Sequence, residues 1–90
     1  MEKLFKRTFT ENTSRQTLEI KDLGSEKLTK TELSALFSIV NFRYEHRLPI
    51  ITYTRHKAAE LIERISVNEE SSVLAHAIVG RLWEMEVRPA

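Results

Sequence analysis

Apolar residues recur at three- and four-residue steps in three stretches of the chain, a spacing that places them on one side of a helix. The members of these stripes are, in chain order, Leu33, Leu36, Phe37, Val40 and Tyr44; then Ala58, Leu61, Ile62 and Ile65; then Leu74, Ala77, Ile78, Leu82 and Met85, with the charged Arg81 along the same side. Leu4, Phe5 and Phe9 suit a fourth, short helical face. The pattern therefore predicts three or four helices, the last over about 73–86.

Polar residues and a proline mark the ends of these helices. Thr29 and Glu32 have the spacing of a capping box, in which each side chain bonds to the backbone amide of the other residue. Pro49 ends the first long helix because proline disfavours helical geometry at the preceding residue and has no amide hydrogen. Thr54 is predicted to cap the second helix. The last three residues are expected to be a frayed end.

Two strands are predicted, over about 17–21 and about 50–54. In the first, Leu18 and Ile20 alternate with charged residues, whereas the second is a run of β-branched and aromatic residues. Strand, long helix and strand form a βαβ unit, which implies parallel strands joined by a right-handed crossover. The predicted fold class is therefore α/β, with a small parallel sheet packed by three or four helices. Parallel strands usually need cover on both faces.

Composition limits the classes of function. The 90 residues are enough for one small domain, and 14 Lys plus Arg against 13 Asp plus Glu leave no strong overall charge. Cysteine is absent, so disulfides and thiolate metal sites are excluded. The three histidines have no carboxylate cluster at ligand spacing, so no metal site is expected. Without a long apolar run or a secretory signal, we expect a cytoplasmic protein with no membrane contact.

Four stretches resemble a known family in their order and sequence. The stretches IKDLGSEKLT, LFSIVNFRYEHRLPIIT, AAELIERI and AHAIVGRLWEM are similar to the ATPase domain of helicase loaders of the DnaC/IstB type, a branch of the AAA+ proteins. NFRYEHRLPIIT carries the most specific part of the likeness. The resemblance implies that residues 1–90 form a single partial, truncated AAA+ core from the later half of that domain. It also implies a bare edge beside residues 50–54, where the family has a further strand.

The resemblance assigns a position to each part of the family's ATP site. Lys21 stands where the family has a carboxylate that binds magnesium, and an ammonium group cannot ligate a cation. Asp22 keeps the place of the carboxylate that polarises the attacking water, Thr54 that of the γ-phosphate sensor, and Arg81 that of an arginine reaching a neighbouring subunit's nucleotide. Two plainer interpretations stay open: Asp22 as a turn former, and Arg81 packed along its methylenes with its head in water.

The family's phosphate-binding loop is absent from this sequence. Such a loop requires Gly-x-x-x-x-Gly-Lys followed by Ser or Thr, because its backbone amides must wrap the phosphates. Gly24 and Gly80 are the two glycines of the chain, and they are far apart. ATP and magnesium are the family's cofactors, but we expect none for this chain alone and no autonomous ATPase activity.

Two surfaces are candidates for binding. His76, Val79 and Trp83 fall on a different side of the last helix from its main stripe, which predicts a partner surface there or, alternatively, packing of Trp83 over the loop before the first strand. A basic group, which can contact the phosphates of single-stranded DNA or simply favour the helix dipole, contains Arg43, Arg47, Arg55 and Lys57.

These observations lead to one functional hypothesis and two alternatives. The first is a helicase-loader-like protein associated with DNA replication, degenerate in its ATP site, that acts by binding an intact loader, the replicative helicase or itself. The second is a stand-alone α/β interaction module that inhibits or regulates a host helicase loader. The third is half of an ATPase, which regains activity when another fragment supplies the phosphate loop.

Overall fold

The computed structural model describes residues 17–90. Within this range the elements are, in order, β1 (Leu18–Ile20), α1 (Lys30–Glu45), β2 (Ile50–Thr54), α2 (Ala58–Ile65), α3 (Ser72–Trp83) and β3 (Glu86–Pro89). The helix predicted around Leu4, Phe5 and Phe9 lies outside the described residues. The α/β class, the parallel sheet and the three later helices are confirmed. None of the helices within residues 17–90 has the length and apolar character needed to cross a membrane.

The sheet has the order β1-β2-β3, and both neighbouring pairs are parallel. When parallel strands follow one another in sequence order, right-handed crossovers place every connecting helix on the same face of the sheet. Burial agrees, because Leu18, Ile20, Ile50 and Thr52 on one face are all buried. Helix α3 lies between α1 and α2 and contacts both of them as well as β2 and β3. The described residues therefore form two layers, one sheet and one layer of helices.

The third strand corrects two predictions about the end of the chain. Strand β3 pairs with β2 from Ile51↔Glu86 to Thr54↔Pro89. It includes residues that were expected to fray, and it covers the edge beside residues 50–54 that was expected to be bare. The reason is that α3 ends at Trp83, earlier than predicted, which frees the next residues to run along β2. The Ala90 amide donates to the Thr54 carbonyl at 3.3 Å, so the Pro89 nitrogen is on the outer side of β3.

The helix starts were predicted with mixed success. The capping box of α1 is confirmed: Thr29 Oγ1 accepts from the Glu32 amide at 3.1 Å, and Glu32 Oε1 accepts from the Thr29 amide at 2.9 Å. The predicted cap of α2 is wrong, because Lys57 is its N-cap residue and makes no side-chain capping bond. The Thr54 hydroxyl instead donates to the Leu23 carbonyl at 2.8 Å.

One hydrophobic core joins the sheet to all three helices. Its buried members are Leu18, Ile20, Leu23, Leu28, Leu33, Leu36, Ile39, Val40, Ile50, Leu61, Ile65, Ala75, Ile78, Val79 and Leu82. Two members of the predicted α1 stripe fit less well, since Phe37 is half-buried and Tyr44 is 37% exposed. In α3 the buried side includes Ala75 and Val79, because this helix is covered from two directions by α1 and α2.

Candidate functional site

The carboxyl ends of β1 and β2 meet at one edge of the sheet, where parallel α/β proteins commonly bind ligands. An open cavity of about 350 Å³ lies at this edge. Its lining residues come from the turn after β1, the loop after β2 and the surface of α2; they are Asp22, Leu23, Ser25, Arg55, His56 and Arg64. The nitrogen-bearing side chains of Arg55, His56 and Arg64 therefore surround the carboxylate of Asp22. Of these lining residues, the sequence analysis assigned only Asp22 to the ATP site.

Asp22 begins a tight turn directly after β1. Its φ is 54°, in the left-handed region that aspartate tolerates better than most residues. Its carbonyl accepts bonds from the Ser25 amide at 3.1 Å and the Ser25 hydroxyl at 2.7 Å. Beside it, the Lys21 ammonium lies 3.9 Å from a carboxylate oxygen of Glu19. The backbone of Asp22 thus has the geometry of a turn former, while its side chain remains exposed at the cavity.

Gly24 fixes the turn against α2. It has a φ of 95°, and a Cβ atom there would lie 2.7 Å from Leu61 Cδ1 and 2.8 Å from His56 Cδ2. Arg64 Nε donates to the Gly24 carbonyl at 2.7 Å, which ties the turn to the helix from a second direction. His56 Nδ1 lies 2.6 Å from Glu60 Oε1, so the imidazole is held in place over the glycine. The cavity wall is therefore a packed structure, and the turn and the first residues of α2 are fixed together.

Thr54 lies next to this cavity but is not among its lining residues. Its side chain is buried, and its hydroxyl donates to the Leu23 carbonyl while accepting from the His56 amide at 3.2 Å. A hydroxyl has one proton to donate, and here that proton is used within the protein. In this structure Thr54 connects the end of β2 to the turn after β1.

Arg81 is placed away from Asp22 and Thr54, at the packing surface between α3 and α1. Its guanidinium carbon lies 5.8 Å from the centre of the Phe37 ring and 5.4 Å from that of Tyr44. Nη1 also donates to the Ala77 carbonyl at 3.2 Å. Contacts of a guanidinium with two aromatic rings stabilise the pairing of two helices. Of the three predicted ATP-site residues, the structure brings Asp22 and Thr54 close to the same turn and leaves Arg81 in a helix contact.

The basic group predicted to contact DNA is divided by the sheet. Arg43 and Arg47 lie before β2 and Arg55 and Lys57 lie after it, so the five residues of β2 separate the pairs by roughly 16 Å at about 3.3 Å per residue. Arg43 is completely buried, and its Nη2 donates to the Pro49 carbonyl at 2.9 Å. The prediction that these four residues form a single basic patch is therefore wrong, and Arg43 is not accessible to a phosphate.

Sequence reasoning missed His56 and Arg64 as neighbours of Asp22. Arg55 and Lys57, both exposed, flank His56 in the chain, and Arg64 reaches the same cavity from the far end of α2. Arg64 lies three residues after Leu61, so it shares the side of α2 that faces Gly24. That spacing indicates that Arg64 contacts the turn only when the turn is already known to lie against α2.

The predicted partner surface on α3 is also divided. Val79 is 1% exposed and belongs to the core, so it is not available to another protein. His76 is exposed, with Nδ1 2.8 Å from the Ser72 carbonyl of its own helix, and Trp83 is 36% exposed. The reason is the central position of α3, whose second apolar side is covered by the chain itself.

A tyrosine and a glutamate join the end of α1 to the residue after α3. The Tyr44 hydroxyl lies 3.0 and 3.1 Å from the two carboxylate oxygens of Glu84 and donates to them. The pKa of Tyr44 is raised above its ordinary value of 10.0, first because Glu84 accepts this hydrogen bond and second because its charge opposes a phenolate.

We predict that this bond stabilises the protein at neutral pH and is lost in alkaline solution. In the unfolded chain Tyr44 titrates near its ordinary value of 10.0, so its contribution is complete below that pH and disappears as the pH rises through the higher folded pKa. The free energy of unfolding of the wild type should exceed that of Tyr44→Phe at about pH 8, and this difference should shrink as the pH rises above 10.0 and through the higher folded pKa. Because the other tyrosine, Tyr53, is present in both proteins, a difference that does not shrink at high pH would contradict the assigned bond.

Comparisons of the chain with family models, with curated proteins and with solved structures found no match. Within residues 17–90, no group of three or more His, Asp or Glu side chains is placed to hold a metal ion.

Proposed function

We propose that this chain is a truncated AAA+ domain of the helicase-loader type that does not hydrolyse ATP alone and acts in DNA replication, in the cytoplasm, by binding another protein. The observation that carries the proposal is the combination of a retained strand tip with an absent phosphate loop. Asp22 lies at the carboxyl edge of a parallel sheet, where a hydrolytic carboxylate would be needed. The two glycines, Gly24 and Gly80, leave no segment able to wrap a triphosphate.

The contacts around Asp22 support the loss of hydrolysis. Lys21 presents an ammonium group beside the carboxylate of Glu19, where magnesium would need oxygen ligands. The hydroxyl of Thr54 is used by the Leu23 carbonyl and is therefore a poor sensor of a phosphate. Neither residue supplies what an ATPase of this type requires. We therefore propose a role in binding, with a helicase loader, the replicative helicase or a second copy as the partner.

The position of β3 favours a stand-alone module over an ATPase half. The resemblance implies that a further family strand lies beside residues 50–54, and β3 occupies the side of β2 that β1 leaves free. A complementing fragment would have to displace a paired strand before it could insert its own. An interaction module that inhibits or regulates a host loader is therefore the second candidate function.

The test of the first part is nucleotide turnover by the purified chain. With ATP and magnesium we expect no phosphate release above that of buffer, and no heat of ATP binding by calorimetry. The matched control is Asp22→Asn, which removes the one carboxylate retained at the strand tip and should change nothing. Unaided hydrolysis that Asp22→Asn abolishes would overturn the proposal.

The test of the second part separates the two modes of binding. The chain is added to a purified helicase loader and its replicative helicase, and the loading of helicase on single-stranded DNA is measured. An inhibitor lowers loading in proportion to its concentration, whereas an accessory component raises it. If loading is unchanged and neither protein retains the chain on a column, the helicase-loader role is wrong. Adding a fragment with an intact phosphate loop tests the ATPase-half alternative, which requires hydrolysis to appear.

A further inference from the structure

The sheet face turned away from the helices carries an ordered arrangement of charges. Because successive residues of a strand point to opposite faces, the residues that alternate with the buried ones share this second face. They are Glu19, Lys21, Ile51, Tyr53, Glu86 and Arg88. The four charged side chains are 41–68% exposed, so this face is open to solvent. Ile51 and Tyr53, at its centre, are half-buried.

The strand register sorts these residues into one acidic row and one basic row. Glu19, Ile51 and Glu86 are aligned across the three strands, which gives a row with a carboxylate at each side. Two residues further along, Tyr53 is aligned with Arg88, and Lys21 continues the line from the end of β1. Each row therefore has one apolar or aromatic residue in the middle and two like charges at its ends.

Hydrogen bonds between the rows hold the second face in one arrangement. The Tyr53 hydroxyl donates to Glu19 Oε2 at 3.3 Å and accepts from Arg88 Nη1 at 3.5 Å. Arg88 forms an ion pair with Glu86, and Lys21 lies 3.9 Å from Glu19. All three strands are thus connected across a polar surface, which loses little side-chain freedom when another surface is placed on it.

We propose that a second copy of this chain docks on this face, sheet against sheet, about a two-fold axis that runs between the two rows and parallel to them. This rotation turns the strands antiparallel and brings the acidic row of one copy opposite the basic row of the other. Glu19 then faces Lys21 of the second copy, Glu86 faces Arg88, and Ile51 faces Tyr53. A copy placed without this rotation would bring like charges together, so the rows select one orientation.

Two features make a second copy the occupant. Parallel sheets are usually covered on both faces, and the sequential strand order places the helices of residues 17–90 on one face only. After a two-fold rotation, the charges of the second face on one copy are complementary to those of the same face on another copy. Binding to an unrelated protein would not require this self-complementarity. Three short strands offer a small contact area, so we expect a weak dimer that forms with rising concentration.

The inference names one of the partners in the proposed function, yet depends only on the sheet face. ATP turnover and helicase loading can give a negative result while the dimer forms, and the reverse also holds. Self-association and the loader role are therefore tested by separate measurements.

The experiment exchanges the charges of one row at a time. Glu19→Lys with Glu86→Lys makes all four charges positive, and Lys21→Glu with Arg88→Glu makes all four negative. By light scattering the wild type should dimerise with rising concentration, and each double variant should stay monomeric over the same range. An equimolar mixture of the two variants should form a dimer at least tenfold tighter than that of the wild type, weakened by salt. Circular dichroism and cooperative urea unfolding of each variant check that both are folded.

A second measurement uses the absence of cysteine from the chain. Ile51→Cys and Tyr53→Cys are made in separate proteins, since these positions face each other only between copies. Under mild oxidation, the mixture should give covalent dimer faster than either protein alone. A wild type that remains monomeric at every concentration would overturn the proposal, as would equal rates of disulfide formation or a mixture of charge variants that fails to associate.

Discussion

Gly24→Ala is expected to lower the free energy of unfolding by about 2–4 kcal/mol, the largest effect among single substitutions at the candidate site. The φ of 95° is unfavourable for any residue with a Cβ atom, and that atom would lie 2.7 Å from Leu61 Cδ1 and 2.8 Å from His56 Cδ2. Neither neighbour moves easily, because Leu61 is in the core and His56 is held by Glu60. The turn carrying Asp22 would have to move away from α2.

Gly80→Ala is the matched control for this substitution. Gly80 is exposed within α3, and a Cβ atom there meets no other atom within 4 Å. Alanine should therefore stabilise the protein by about 0.5–1 kcal/mol through its better helix propensity. Urea denaturation of the two variants beside the wild type measures both changes. If Gly24→Ala is as stable as the wild type, the close packing of the turn against α2 is wrong.

Arg43→Ala is expected to cost about 2–4 kcal/mol of unfolding free energy, although the sequence first presents this arginine as a surface cation. The side chain is fully buried, and its Nη2 donates to the Pro49 carbonyl, which also accepts from the Leu18 amide at the start of β1. Truncation removes a large packed side chain and a bond at the junction of β1 and β2. Thermal and urea unfolding give the size of the loss.

Arg47→Ala provides the comparison, because Arg47 lies four residues later and is exposed. A φ of 55° is no more unfavourable for alanine than for arginine, so we expect the free energy of unfolding to change by no more than about 0.5 kcal/mol. Binding of a fluorescent single-stranded oligonucleotide is measured for both variants. Should Arg43→Ala weaken DNA binding while leaving stability intact, the buried position of Arg43 would be contradicted.

Local signals in the sequence were sufficient for the start of α1 and for the central strand. The capping box of Thr29 and Glu32 depends on neighbouring residues and is present as predicted, whereas α1 ends at Glu45, before Pro49, in a turn where Arg47 has a φ of 55° and the Leu48 amide donates to the Arg43 carbonyl at 2.8 Å. The β-branched run of β2 likewise carries its own preference for extended structure. Each of these features is decided by bonds and torsions close by in the chain.

Features that depend on distant residues were missed. Glu86–Pro89 contains one β-branched residue and becomes a strand because β2 offers it a partner 35 positions earlier. The buried side of α3 was misassigned because its position between α1 and α2 is a property of the whole fold. Arg43 had a weak signal, since it lies three residues after Val40 on the buried stripe, but a charged side chain is seldom expected there.

The two edges of the sheet have unequal capacity to accept another strand. In β3 the backbone groups of Val87 and Pro89 point away from β2, toward the open edge of the sheet, and of these two residues only Val87 carries a backbone N–H. Head-to-tail polymerisation would require the β1 edge of one molecule to pair with the β3 edge of the next, repeatedly and without closure. Pro89 removes half of the donors that such a ladder would use. Pro89 therefore disfavours, by the loss of one donor, the growth of fibres through the β3 edge.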